Sequence, residues 1–320
     1  MKKIGKGLLY LVIAVVLIAV IAVSYITLAL PSVGKPENIT IAITPQRVLR
    51  GKYLANHVSL CMDCHSQRDW SKSIGAIEPD KFGAGGDKFD SSDDGLPGVI
   101  YVPNITPHNL KNWTDGELFR AITTGERKDG SAIFPLMPWD YYSKMSREDL
   151  YSIIAYLRKL TPIVTSPYPK RQLDFPLNIL VYTMPHKASL GEIPPQSDTI
   201  KYGAYIINEA ACGGCHSPLK NGKIIHGMDY AGGRDFKIQG RSYYSANITP
   251  DKATGIGNWT REAFVNRFKS YTDSAGAKQK NAHAISPMPW YDYSGMSEAD
   301  LKAIYAYLKS IKPVSHKIVN

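Results

Sequence analysis

Cys61-Met62-Asp63-Cys64-His65 recurs as Cys212-Gly213-Gly214-Cys215-His216, displaced by 151 residues. The same displacement carries Met137-Pro138-Trp139 onto Met288-Pro289-Trp290, and Met145-Ser146 onto Met296-Ser297. It also carries Asp149-Leu150 with Ala155-Tyr156-Leu157 onto Asp300-Leu301 with Ala306-Tyr307-Leu308. Self-similarity at a fixed period means one structural plan used twice. Between these anchors the copies drift and return: Gly85-Gly86 and Phe89 match Gly232-Gly233 and Phe236, and Asn104-Ile105-Thr106-Pro107 matches Asn247-Ile248-Thr249-Pro250. Asn112-Trp113-Thr114 matches Asn258-Trp259-Thr260. From first Cys to Asn, Trp and Met the steps are 43, 9 and 24 in one copy and 35, 12 and 29 in the other, yet both total 76. Duplicated loops would not need that constancy. Two groups meeting on one prosthetic group would.

The chemistry of Cys-x-x-Cys-His is specific. Two thiols three residues apart share one side of a helical turn, where they can add across the two vinyl groups of a haem, and the adjacent His can bind the iron as a neutral imidazole. The pattern reads as c-type haem attachment. All four cysteines of the chain lie in these two pairs, so none is left for a disulfide framework. A redox dithiol would need a βαβ context, and one zinc held by both pairs would explain neither the trailing histidines nor the repeated methionines. Two covalently attached haem c groups are expected, one on Cys61, Cys64 and His65, the other on Cys212, Cys215 and His216.

Met137 and Met288 are the expected second axial ligands. A thioether is a soft ligand that favours ferrous iron and raises the potential. Pro135, Pro138, Pro287 and Pro289 would hold each Met in a non-helical loop across the haem. Met145 and Met296 repeat as faithfully, but each precedes a Ser suited to cap a helix, which points to packing. The proximal histidines need their other ring nitrogen tied to an acceptor; a backbone carbonyl is expected, in the second copy from around Ser217-Pro218. The Asn-Ile-Thr loops, with Trp113, Trp259 and Tyr101 or Tyr243, are candidates to bind propionates, or are plain core. His57, His108, His186, His226, His283 and His316 have no equivalent in the other copy and are read as surface or packing residues. Asp87, Asp90, Asp93 and Asp94 in residues 83–95 do not match the calcium-loop spacing, and Gly83-x-Gly85 is no phosphate cradle because its neighbours belong to the repeat.

Residues 8–30 form 23 positions without a charge, against the ~20 a helix needs to cross a bilayer. Lys2, Lys3 and Lys6 precede them, which predicts a cytoplasmic N-terminus and everything after Pro31 outside. A cleaved signal peptide with a small-residue site at Ala22-Val23-Ser24 is the rival, but its apolar region usually runs only ~7–15 residues. An uncleaved anchor in the bacterial inner membrane, with periplasmic haem domains, is expected. The formal charge of +10 could steer an acidic partner or be an ordinary solvated surface. No nucleic-acid module is present, and aromatics do not interleave with a basic stripe.

The expected organisation is a cytoplasmic tip and transmembrane anchor over 1–30, a linker over 31–46, one haem domain over 47–161, a Pro-rich connector over 162–198, a second haem domain over 199–313, and a tail over 314–320. Proline density forbids a continuous helix in the connector, whose apolar residues 175–182 should pack on one or both domains. Ser146-x-x-Asp149 and Ser297-x-x-Asp300 open helices. Apolar residues at 3–4 spacing follow (Leu150, Ile153, Ile154, Leu157, Leu160; Leu301, Ile304, Leu308, Ile311). Residues 48–60 and 202–211 also read as helical, and the Gly/Asp-rich middles show no strand alternation.

In this order, twice, CxxCH, Gly-Gly, Asn-Ile-Thr-Pro, Met-Pro (Pro-x-Met-Pro in the first copy) and Met-Ser…Asp-Leu…Ala-Tyr-Leu resemble class I cytochrome c domains. More narrowly, they are similar to the cytochrome subunits of bacterial membrane-bound alcohol, gluconate and related dehydrogenases. The resemblance covers residues 47–313. It implies an all-α fold of two tandem cytochrome c domains, His/Met ligation, and periplasmic electron transfer without bond chemistry. The redox partners expected are a dehydrogenase subunit, a terminal oxidase, or both; no specific dehydrogenase is implied, and a free membrane-tethered carrier is the other form such a chain can take. Three departures stand: those subunits commonly carry three haem sites, the first copy has His108-Asn109-Leu110-Lys111 in place of the Thr254-Gly255-Ile256-Gly257 turn, and the expected anchor is N-terminal. A di-haem peroxidase with one open iron is the alternative, disfavoured by the equal Cys-to-Met spacing; a haem sensor would want an appended signalling domain.

Overall fold

The computed structural model describes residues 2–69, 76–91, 95–220, 222–238, 241–271 and 286–318. The chain opens with α1 (Lys2–Ala29). In the first copy, α2 (Pro45–Tyr53) runs through a π-turn (Leu54–Val58) to the short α3 (Cys61–Cys64). Then come β1 (Arg68–Asp69), β2 (Ala76–Ile77), β3 (Lys88–Asp90), β4 (Gly98–Tyr101), α4 (Pro107–Leu110), α5 (Asp115–Thr124), α6 (Trp139–Tyr142) and α7 (Arg147–Leu157). The connector supplies β5 (Gln172–Leu173), α8 (Leu177–Leu180) and a 3-10 turn (Val181–Thr183). The second copy follows with α9 (Thr199–Glu209), α10 (Cys212–His216), β6 (Leu219–Lys220), β7 (Lys223–Ile224), β8 (Asp235–Ile238) and β9 (Arg241–Tyr244). It closes with α11 (Arg261–Lys269), α12 (Trp290–Ser294) and α13 (Glu298–Ser310).

The expected all-α fold is therefore wrong. Among the described residues the helices are joined by four small antiparallel sheets: β1-β2, β3-β4-β5, β6-β7 and β8-β9. The Gly/Asp-rich middles close into hairpins of two to four residues per strand. Strands that short, partly exposed on both faces as in β4, leave no two-residue alternation to read.

The helical expectations hold. Ser146 and Ser297 cap α7 and α13, their hydroxyls accepting from Asp149 N at 3.1 Å and Asp300 N at 3.0 Å, which satisfies backbone N–H groups that a helix start leaves orphaned. α2 packs on α7, and α9 on α13. Both crossings close at a glycine: a Cβ on Gly51 would meet Ser152 O at 1.8 Å, and one on Gly203 would meet Ala303 O at 2.0 Å. The buried apolar residues of both copies form one continuous core.

Residues 31–46 lie against the first copy. Val33 N donates to Glu126, and Ile41 N to Asp115 at 2.8 Å, with both apolar side chains buried. The connector docks there as well: β5 adds to β4, pairing Leu173 with Gly98 and Gln172 with Val99. Within 175–182 the expected packing is divided. Val181 is fully buried, while Phe175 is 79% exposed. Within residues 6–29 of α1 an 18-residue stretch reaches a mean hydropathy of 2.9, and the helix is long and apolar enough to cross a membrane.

Candidate functional site

Each Cys-x-x-Cys-His turn begins with a backbone reversal. Leu60 (φ 51°) and Ala211 (φ 50°) are left-handed non-glycine residues, a conformation that costs roughly 1–2 kcal/mol and persists only where surroundings over-determine it. A tyrosine secures the residue before each: Tyr142 donates to Ser59 O at 2.6 Å and Tyr293 to Ala210 O at 2.7 Å. The turns α3 and α10 then present Cys61 with Cys64 and Cys212 with Cys215, all as free thiols. Burial pushes Cys61 and Cys212 up to about 12. Cys64 also rises to about 12, through burial and the nearby Asp87, Cys61 and Cys215.

His65 Nδ1 donates to Pro103 O and His216 Nδ1 to Ala246 O, both at 2.8 Å. A carbonyl can only accept, so Nδ1 carries the proton and Nε2 keeps its lone pair for a metal. Burial lowers His65 to about 4, against a rise from the Pro103 hydrogen bond, and lowers His216 in the same direction. Both rings are neutral at physiological pH. The acceptor is a backbone carbonyl, as expected, but it comes from the residue before Asn-Ile-Thr and not from Ser217-Pro218. Ser217 instead accepts from Tyr230 N at 3.0 Å, as Ser66 accepts from Gly83 N at 2.9 Å.

The Asn-Ile-Thr loops spend their polar groups within the chain. Asn104 Oδ1 accepts from Thr106 N and Oγ1, while its Nδ2 donates to Ile163 O at 2.8 Å. Asn247 does the same with Thr249 and Val314 O. Each loop that holds a histidine is thus clipped to the segment after the last helix of its copy.

The two methionine pairs part company. Met145 is 0% and Met296 1% exposed, inside the core. Met137 and Met288 are half-buried at its edge, as are Cys61 and Cys212. Both sit just before a helix start, their carbonyls accepting from Trp139 N and Trp290 N at 2.8 Å. Of the other histidines, His186 bonds Asp140 at 2.8 Å against Trp139, and His316 bonds Ala231 O at 3.0 Å. His283, Asp93 and Asp94 lie outside the described residues.

The two turns face a shared contact between the copies, and this contact was not foreseen. Tyr141 lies on α10, 3.3 Å from where a Cβ on Gly213 would stand. From the other side, Asp292 of α12 pairs at 3.3 Å with Arg68, which also pairs with Asp63 of α3. Tyr53 donates to Asp300 and accepts from Ser297 N, and Tyr205 donates to Asp149 and accepts from Ser146 N. Each copy thus tethers a tyrosine to the helix cap of the other. The signal was present but displaced: Tyr53 and Tyr205 stand 152 apart, one more than the repeat. Asn56 is the extra residue, and the π-turn absorbs it. Beyond it His57 and Asn208, 151 apart, donate to Asp292 O and Tyr141 O at 2.9 and 3.0 Å.

This donor set suits a covalently attached haem. The thiols are unpaired, each imidazole is neutral with one nitrogen oriented and one free, and each copy holds a half-buried thioether just before a helix start. Residues 200–312 match the Cytochrome c family profile. The chain is 31% identical to the fructose dehydrogenase cytochrome subunit of Gluconobacter japonicus, over 82% of this chain and 52% of that protein. It is 28% identical to the cytochrome c subunit of the quinone alcohol dehydrogenase of Gluconacetobacter polyoxogenes, over 83% of this chain and 56% of the other. A diheme cytochrome c-type protein of Cereibacter sphaeroides is 26% identical over 79% and 82%. The chain spans about half the length of the two dehydrogenase subunits. It carries a cytochrome c domain over residues 200–312, and over most of its length it is a relative of the cytochrome c subunits of bacterial dehydrogenases.

Proposed function

We propose that this protein is a membrane-anchored di-haem cytochrome c that passes electrons from a dehydrogenase or quinol-oxidising complex to an acceptor such as a terminal oxidase. Residues 47–161 would hold one haem through Cys61, Cys64, His65 and Met137, and residues 199–313 the other through Cys212, Cys215, His216 and Met288. The observation that carries the reading is that both His-Nδ1–carbonyl bonds, at 2.8 Å, recur around both turns. A bound haem supplies the one-electron chemistry. The chain's own part is to fix the imidazole, keep it neutral, and bury the site, which are the levers that set a haem potential. Dehydrogenase relatives support a dehydrogenase donor. The apolar α1 supports a span with the haem domains on the periplasmic side.

The test is a haem count with reduced spectra taken with and without carbon monoxide. Two covalent haems and no carbon monoxide response are expected. Met137→Ala or Met288→Ala should each open one iron to carbon monoxide and lower that haem's potential. If Met145→Ala does this and Met137→Ala does not, the ligand assignment is wrong.

A further inference from the structure

α1 does more than trail from the molecule. It contacts α8 and the 3-10 turn that follows. Of residues 6–29, Ile26 alone is partly buried and the rest are exposed, so this contact is made at the last turns of α1. A helix over the 24 residues 6–29 extends ~36 Å at about 1.5 Å per residue, against the ~30 Å of a hydrocarbon core. Residue 26 therefore sits where the hydrocarbon ends, and α8 sits beside it.

The surface around α8 suits that depth. Phe175 is 79% and Leu180 42% exposed, although both belong to an apolar stretch whose Val181 is fully buried. Lys170, five residues before Phe175, is also exposed. Arg171 lies 5.8 Å over the ring of Tyr182. Apolar side chains backed by an aromatic ring and cations form the pattern found at a membrane–water boundary. We propose that residues 170–182 lie on the lipid bilayer beside the exit of α1, with Phe175 and Leu180 inserted among the acyl chains and Lys170 at the headgroups. The proposal rests on the reading that α1 spans the membrane. Because β5 ties this segment to β4 of the first copy, the contact would fix how the two Cys-x-x-Cys-His turns are turned relative to the membrane, which a single flexible tether cannot do.

A benzophenone amino acid, placed in the full-length protein in native membranes at Ile18, Phe175, Leu180 or Glu262 in turn, tests this after irradiation and mass spectrometry. Lipid adducts at 18, 175 and 180, with none at the exposed Glu262, are expected. Phe175→Glu should cut the lipid adduct at 180 several-fold. Adducts at 18 but none at 175 and 180 overturn the proposal and leave the span standing, and a protein adduct at 175 overturns it in favour of a subunit contact. Absence of lipid at 18 removes the span and this surface together.

Discussion

The two copies are alike around the Cys-x-x-Cys-His turns and unlike where they touch each other. His65 and His216, Ser66 and Ser217, Tyr142 and Tyr293, and Asn104 and Asn247 make the same hydrogen bonds with the same partners in kind. At the contact the pairing is reciprocal but the chemistry is not. Asp149 receives Tyr205 and a two-pronged Arg50, at 2.7 and 3.0 Å, whereas Asp300 receives two tyrosines, Tyr53 and Tyr202. Val58 in one copy becomes the buried Glu209 in the other. What the site needs has stayed duplicated, and what the contact needs has diverged.

The sharpest way to break the comparison is to remove the two carboxylates. Asp149→Asn leaves the Arg50 guanidinium without its counter-charge, and breaking such a buried pair costs about 3–5 kcal/mol. Arg50 keeps some access to water, which favours the lower end. Tyr53 and Tyr202 donate to different oxygens of Asp300, so in Asp300→Asn one hydroxyl still donates to the amide oxygen while the other faces the amide NH2 and can only accept, and about 1–2 kcal/mol is expected. Urea unfolding of both variants decides it; equal losses would mean that Arg50 contributes nothing distinct.

Next come the glycines of the two helix crossings. Gly51→Ala and Gly203→Ala each drive a Cβ into a backbone carbonyl that cannot rotate away. Overpacking of this kind costs typically about 1–3 kcal/mol, and the two losses should match because the crossings do. A melting temperature unchanged by either would mean that the helices separate freely. Smaller still are Tyr53→Phe and Tyr205→Phe, about 1 kcal/mol each for one hydrogen bond to a carboxylate and one from a backbone N–H. Combined, they should add within error if the two tethers act independently, which a double-mutant cycle measures.

Much of this was legible in the sequence, for stated reasons. The caps at Ser146 and Ser297 carry a side-chain signature, and the helices after them carry a 3–4 periodicity. The hairpins did not, because β3 and β4 are too short to alternate. The histidine acceptors Pro103 and Ala246 were illegible in kind: any residue offers a carbonyl, so no residue type marks one. Ser66/Ser217 and Tyr142/Tyr293 keep the 151 displacement and could have been found. Tyr53/Tyr205 could not at that displacement, because Asn56 shifts the register and only a π-turn reconciles the two. His57 seemed to lack a counterpart because its equivalent, Asn208, is a different residue type doing the same work.

The gentlest probe of the comparison is Glu209→Gln. Glu209 is wholly buried in α9, with Asp149, Tyr205 and Arg50 around it. Burial, with Asp149 adding to it, raises this carboxyl well above its ordinary 4.5, so the folded protein keeps it protonated. The unfolded chain loses that proton above about pH 4.5, so the unfolded state binds fewer protons there and folding stability falls as pH rises. The contribution is fully present below the unfolded pKa and is lost on the way up. Glutamine cannot ionise, so the variant escapes that loss. Relative to the parent it should gain stability at pH 8, and the gain should vanish at pH 4. Thermal melts at the two pH values measure this. A loss at pH 8 that shrinks at pH 4 would mean that Glu209 is ionised in the fold, held by Arg50, and that the second copy carries a buried charge where the first carries only Val58.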